Sequence, residues 1–251
     1  MKPMSQFAGL ILLLCCGCGY RFGYRHLAGP ILPAPEQVGQ LQVADDQSII
    51  FLMDRLEVIL RPVTIEMLNR QFPVQSTSPK GFYQNPSFSL SNPYTYGDWS
   101  PPGQKQTPNR FTVFGLKVKN YAFPKVRIDP TKIHLTATNG RNYPALSLFA
   151  MVEYYWPYAV AYTGNTYRYF QERRDLLRKT LFKEDFIFSG QEQEGFIVFP
   201  FIDYDVDEFT VWIEDLALRF DYRDEPIESI DIPYHFHRDV YIGREARVEG
   251  Q

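Results

Sequence analysis

The sequence predicts a mainly β fold, a β-sandwich interrupted by one amphipathic helix. Three observations lead there. Short stretches alternate apolar and polar side chains, the period of a half-buried strand. They follow one another closely, with turn signals between them, Asn139-Gly140 being the strongest. Only one long stretch, about 166–183, has helical spacing, with Tyr167, Phe170, Leu177 and Leu181 on one stripe and Arg174 intruding.

The elements follow in order. Residues 48–53 and 55–61 are strand-like. Pro62, suited to a first helical position, opens a short helix to about Gln71. Residues 73–109 are proline-rich and have no period, so they form either a functional excursion or a segment wrapped on the surface. In 111–119, Phe114, Leu116 and Val118 share a face. Strands at 125–129 and 132–138 follow, the second with Ile133, Leu135 and Ala137 inward. Residues 194–201 are apolar on both faces and read as a central strand. Two further runs alternate, one through Phe209, Val211 and Ile213, the next through Leu216, Leu218, Phe220 and Tyr222. Ile230, Ile232, Tyr234 and Phe236 form a last strand. In the helix, Asp175 and Lys179 are spaced for an ion pair, and Thr163 or Asn165 suits its cap.

With 251 residues, 45% apolar and 22% charged, this is a folded chain of one large domain or two small ones. Its three cysteines, Cys15, Cys16 and Cys18, all lie near the N-terminus. A disulfide framework, a cysteine-ligated zinc and a cysteine nucleophile are therefore excluded from the body. The net charge of −3 provides no general basic excess for nucleic acid. Charge is nonetheless segregated, with 14 basic and 4 acidic residues in 105–183 and 2 basic and 11 acidic in 203–231. Either neighbouring strands offset these charges, or the molecule is dipolar with a basic face for anionic lipid or lipopolysaccharide.

Lys2 precedes an apolar run at 7–14, too short for the ~20 residues of a membrane span and fitting a signal-peptide core. The Cys-Cys-Gly-Cys that follows resembles the lipobox of bacterial lipoproteins. The resemblance implies acylation of Cys18, preceded by the small Gly17, with Cys16 the alternative. It departs at Cys15 and Cys16, where that family carries Leu and Ala or Ser. It further implies a membrane partner through the N-terminal lipid and a cell-envelope location. In a diderm host that is the outer membrane, on its periplasmic or surface side. Residues 1–17 are then the signal peptide, and the Gly- and Pro-rich 18–46 a tether. Residues 47–109 form an N-terminal elaboration, 110–240 the sandwich with a helical insertion at about 150–185, and 241–251 a flexible tail.

Within 111–222, Phe-Thr-Val-Phe-Gly-Leu-Lys-Val-Lys-Asn, the turn at 139–141, Ser189-Gly190 leading to Glu-Gly-Phe-Ile-Val-Phe, and Phe-Thr-Val-Trp-Ile resemble the immunoglobulin-like (telokin-like, immunoprotective extracellular) domains of secreted bacterial lipoproteins. The resemblance covers less than half the chain. It implies a binding or structural module and transfers no site residues.

Candidate chemistry is sparse. Asp203, Asp205, Asp207 and Glu214 occupy positions 1, 3, 5 and 12 of a calcium loop, but Glu208 stands where the turn needs Gly, which leaves a looser cation site at Asp203, Asp205 and Asp207 or a solvated acidic turn. His235 and His237 share a strand face and need a third zinc ligand from His26 or His134. No Gly-x-Ser-x-Gly, His-Glu-x-x-His or phosphate loop is present, and no motif requires a cofactor. The aromatic segment 149–170, with Tyr154, Tyr155, Trp156, Tyr158 and Tyr162 at its centre, either seals the helix on the sandwich or forms a surface for envelope proteins or glycans. The expected function is a non-catalytic binding or structural module of the envelope. The alternatives are a docking partner using this segment and a carboxylate-based hydrolase of envelope polymers.

Overall fold

The computed structural model describes residues 24–78, 90–101, 107–160 and 166–244. Cys15, Cys16 and Cys18, Tyr162, and the cap candidates Thr163 and Asn165 lie outside them. The strands are β1 (Tyr24–Ala28), β2 (Leu32–Pro33), β3 (Leu41–Val43), β4 (Ile49–Met53), β5 (Leu56–Val63), β6 (Phe111–Asn120), β7 (Lys125–Arg127), β8 (Ile133–Ala137), β9 (Asn142–Pro144), β10 (Phe186–Phe188), β11 (Gln191–Pro200), β12 (Glu208–Phe220), β13 (Pro226–His237) and β14 (Val240–Arg244). The helices are α1 (Ile65–Gln71), α2 (Pro73–Ser76), α3 (Leu148–Val160) and α4 (Thr166–Thr180).

The fold is mainly β. One antiparallel sheet has the order β11-β6-β5-β4-β3. A larger one runs β10-β7-β12-β13-β2, with β8 also pairing β12 and β9. Their facing sides share one core. Val58, Leu60, Phe114, Leu116 and Val118 come from the first sheet, and Leu135, Val211, Ile213, Ile232 and Phe236 from the second. Each such side chain contributes roughly 1.5–3 kcal/mol on burial. The sheets also interlock. The Phe114 and Phe236 rings lie 5.0 Å apart, and the buried Tyr234 hydroxyl donates to the Val58 carbonyl at 2.8 Å. The alternation expected at 111–119 and 132–138 is present, and Gly140 turns β8 into β9 at φ +83°.

Several expectations are corrected. The stretch read as a tether carries strands from Tyr24 onward, and β1 pairs with β14 inside the stretch read as a flexible tail. Gly and Pro there punctuate short strands instead of loosening a spacer. Pro62 lies in β5, not in a helix. Pairing with β4 ends at Leu60, so the amide that proline lacks is not needed on that side. Thr64 caps α1 instead, accepting from the Met67 amide at 3.3 Å. β11 is an edge strand, not a central one. It is apolar on both faces because Ile197 and Phe199 enter the sandwich while Val198 meets helices on the outer side.

The insertion holds two helices, not one. α3 escaped detection because apolar residues surround it and Pro157 lies within it. In α4 the buried intruder is Arg173, and the packed stripe is Thr166, Phe170, Arg173 and Leu177. Tyr167 is exposed, and Asp175 lies 3.9 Å from Arg174. The segregated charges meet across strands. Lys132 reaches Asp215 at 2.7 Å, Arg141 reaches Asp205 at 2.6 Å, and Lys125 pairs with Asp224.

Candidate binding surface on the helix layer

The helices cover the outer face of the smaller sheet around a second core. Leu68 and Phe72, Val113 and Val198, Met151, Tyr155 and Ala159, and Phe170 and Leu177 all meet there. Beneath them runs one described part of the proline-rich stretch, residues 90–96. Leu90 to Thr95 is buried but has no regular structure, so its polar backbone groups need other partners. The Asn92 side chain accepts from the Tyr94 amide at 2.9 Å and donates to Ser76 Oγ at 2.8 Å. Arg173 donates to the Leu90 carbonyl. Tyr155 donates to the Pro93 carbonyl at 2.7 Å, and Arg110 donates to the Thr95 carbonyl at 3.2 Å. Two buried arginines thus satisfy an irregular buried backbone, and aromatic faces stabilise their charges. Arg173 stands 4.7 Å from the Tyr155 ring centroid, and Arg110 stands 4.0 Å from that of Tyr96. Burial still lowers Arg173 to about 10.

Tyr155 is therefore a core residue, 1% exposed, and not part of a surface. Tyr158 is half-buried. Tyr154 is exposed at one edge and packs edge-on against Phe111 at 5.0 Å. Of the described members of the expected cluster, Trp156 is the most open, at 50%. Its true neighbours on the surface follow helical spacing. Phe149, Trp156 and Val160 lie along one side of α3, opposite its core-facing residues, and are 70%, 50% and 60% exposed. Glu153 is the one charged residue of α3. Trp156 meets Phe170 at 5.6 Å, and Tyr167 extends the apolar area onto α4. Steps of three and four residues group Phe149, Trp156 and Val160 apart from Tyr155, but with apolar residues on nearly every side the spacing does not say which group is buried.

The other candidates are explained structurally. Arg141 lies between Asp203 and Asp205, at 3.0 and 2.6 Å, where the calcium reading would place a cation. Tyr143 donates to Asp203 at 2.8 Å, and Asp207 accepts from the Glu208 amide. Glu214 is drawn away on β12, 3.8 Å from His134 Nδ1. Arg238, which the sequence did not single out, holds this turn from inside. Its Nε donates to the Val206 carbonyl at 2.7 Å, and its Nη2 to the carbonyls of Ile202 and Asp203. His235 Nδ1 lies 2.9 Å from Thr210 Oγ1, and its backbone is covered by Ala34 and Gln37. Among the described residues no group of three His, Cys, Asp or Glu side chains is placed to hold a metal, and no helix is long and apolar enough to cross a membrane. No known family model, curated protein or solved structure matches the chain.

Proposed function

We propose that this chain is a lipid-anchored cell-envelope protein, acylated at Cys18 with Cys16 the alternative, whose immunoglobulin-like β-sandwich is a non-catalytic module that docks a protein partner. The observation behind docking is the exposed stripe of Phe149, Trp156 and Val160 on α3. Met151, Tyr155 and Ala159 already fix this helix to the sheet, so folding does not require an apolar outer side. Three exposed apolar side chains along one side of a helix, centred on a tryptophan, have the composition of an interface centre. Glu153 within it opposes an anionic membrane surface and favours a protein partner. The lipid would hold the module at the outer membrane of a diderm host, where partners are met in two dimensions.

The test is native electrophoresis of envelope extracts. The wild-type chain should migrate in an assembly larger than itself, and the double variant Phe149→Glu, Trp156→Glu should leave that assembly with its thermal unfolding unchanged. An unaltered assembly in the double variant, or a wild-type chain migrating alone, would reject docking through this stripe.

A further inference from the structure

Away from the α3 stripe lies a cavity of about 510 Å³, within the ~300–1,000 Å³ of small-molecule sites. It lies along the outer edge of β11, where Phe196, Ile197 and Val198 line it. Leu177 of α4 and the chain leaving it, Leu181 and Phe182, form one wall. Leu146 and Leu148, where the chain enters α3, form another. Both walls are bonded to β11. The Phe182 amide donates to the Phe196 carbonyl at 3.0 Å, and the Leu146 amide to the Val198 carbonyl at 2.7 Å. These bonds occupy carbonyls that an added peptide strand would need, so strand addition is disfavoured there. What the cavity offers a ligand is apolar surface.

The rim supplies charge. Asp129 is engaged by Thr131, accepting from its amide at 2.9 Å and its hydroxyl at 2.6 Å. Glu184 faces Arg127 at 3.9 Å. Arg178 and Lys183 also line the cavity, both are exposed, and neither has a carboxylate partner among the described residues. An apolar cavity beneath two available cations matches one ligand chemistry.

We infer that this cavity binds an amphiphile with a single apolar tail and an anionic head group. The tail lies against Leu148, Leu177, Leu181 and Phe196, and the head meets Arg178 and Lys183. The site is independent of docking through α3, whose stripe uses none of these residues.

The test uses the full-length protein in its membrane and a palmitate analogue carrying a photoreactive diazirine in its tail, with labelled peptides mapped by mass spectrometry. Labelling should fall on peptides containing Leu148, Leu177 and Leu181, and unlabelled palmitate should compete it away. The double variant Arg178→Glu, Lys183→Glu changes only exposed side chains and should label about tenfold less, as expected for losing two exposed ion pairs. The matching hexadecanol analogue, which lacks the charge, should label about tenfold less as well. Leu148→Trp should crowd the tail site and lower labelling while unfolding at a temperature close to wild type. A parallel lysophosphatidate probe assigns the head group, since stronger labelling by either probe supports the inference and identifies carboxylate or phosphate. Adducts outside the cavity, equal labelling by the alcohol analogue, or undiminished labelling of the double variant would overturn it.

Discussion

Replacing Gly195 with Ala should be costly for a reason visible in the backbone. A Cβ at this position would sit 2.5 Å from both the Cα and N of Phe182 and 2.9 Å from the Leu181 carbonyl carbon. These are backbone atoms, so no rotamer change relieves the overlap. The segment leaving α4 must move off β11, at about 1–3 kcal/mol for overpacking. The bond from the Phe182 amide to the Phe196 carbonyl goes with it, at a further ~0.5–1.5 kcal/mol. Together these predict a loss of roughly 2–4 kcal/mol, or about 5–15 °C in melting temperature for a chain of this size. Gly115, paired with Phe196 on the next strand, is the internal control. A Cβ there meets only Val63 Cγ2 at 3.7 Å, and Ala in a strand interior is neutral or stabilising by up to ~1 kcal/mol. Thermal and urea unfolding of both variants measure the difference. The reasoning fails if Gly195→Ala unfolds with wild-type stability, or if Gly115→Ala costs as much.

Three further outcomes are expected. Tyr155→Phe removes a buried hydroxyl that donates to Pro93 and accepts from Arg110 at 3.1 Å, and should cost about 1–3 kcal/mol. Trp156→Ala, on the exposed side of the same helix, should stay within ~1 kcal/mol, and equal losses in urea unfolding would contradict the division of α3 into core and surface. Arg238→Met removes the donor to the carbonyls of Ile202 and Val206 and leaves Asp203 with the Val206 amide alone, and should cost about 2–4 kcal/mol, whereas unchanged stability would mean that the turn holds itself. Burial raises the phenols of Tyr94, Tyr155 and Tyr234 above the usual 10.0. Their stabilisation is complete below pH 10 and is lost as pH rises toward the folded values, at ~1.4 kcal/mol per phenol per pH unit. Ultraviolet titration should show them ionising with unfolding, and smooth ionisation of the intact protein near pH 10 would contradict their burial.

The sandwich was legible where one face of a strand meets the core and the other meets water. Phe114, Leu116 and Val118 declare their side by alternation alone, and Asn139-Gly140 declares its turn. The helix layer was harder, because residues there face the core on one side and a second apolar contact or solvent on the other. α3 is apolar around its circumference, so no stripe separated Tyr155 from Trp156. Arg173 and Arg174 are identical letters, and Arg173 is set apart by the Leu90 carbonyl that it reaches. That carbonyl belongs to a stretch without periodicity, which offers no pattern to read. Pairing of β1 with β14 joins distant parts of the chain and follows from no local signal. The cavity arises from two segments meeting one strand edge, a coincidence of tertiary structure that local reading does not reach.

The position of β1 bears on how far the proposed module can travel. A free spacer through residue 46 would have given the sandwich a long leash. With β1 beginning at Tyr24 and zipped to β14, the backbone from Cys18 to Tyr24 can reach no more than roughly 20 Å. On an anchor at Cys18, the domain would sweep a shallow shell against the bilayer instead of ranging across the envelope. Any partner reached by the α3 stripe would then have to present its own surface within that shell.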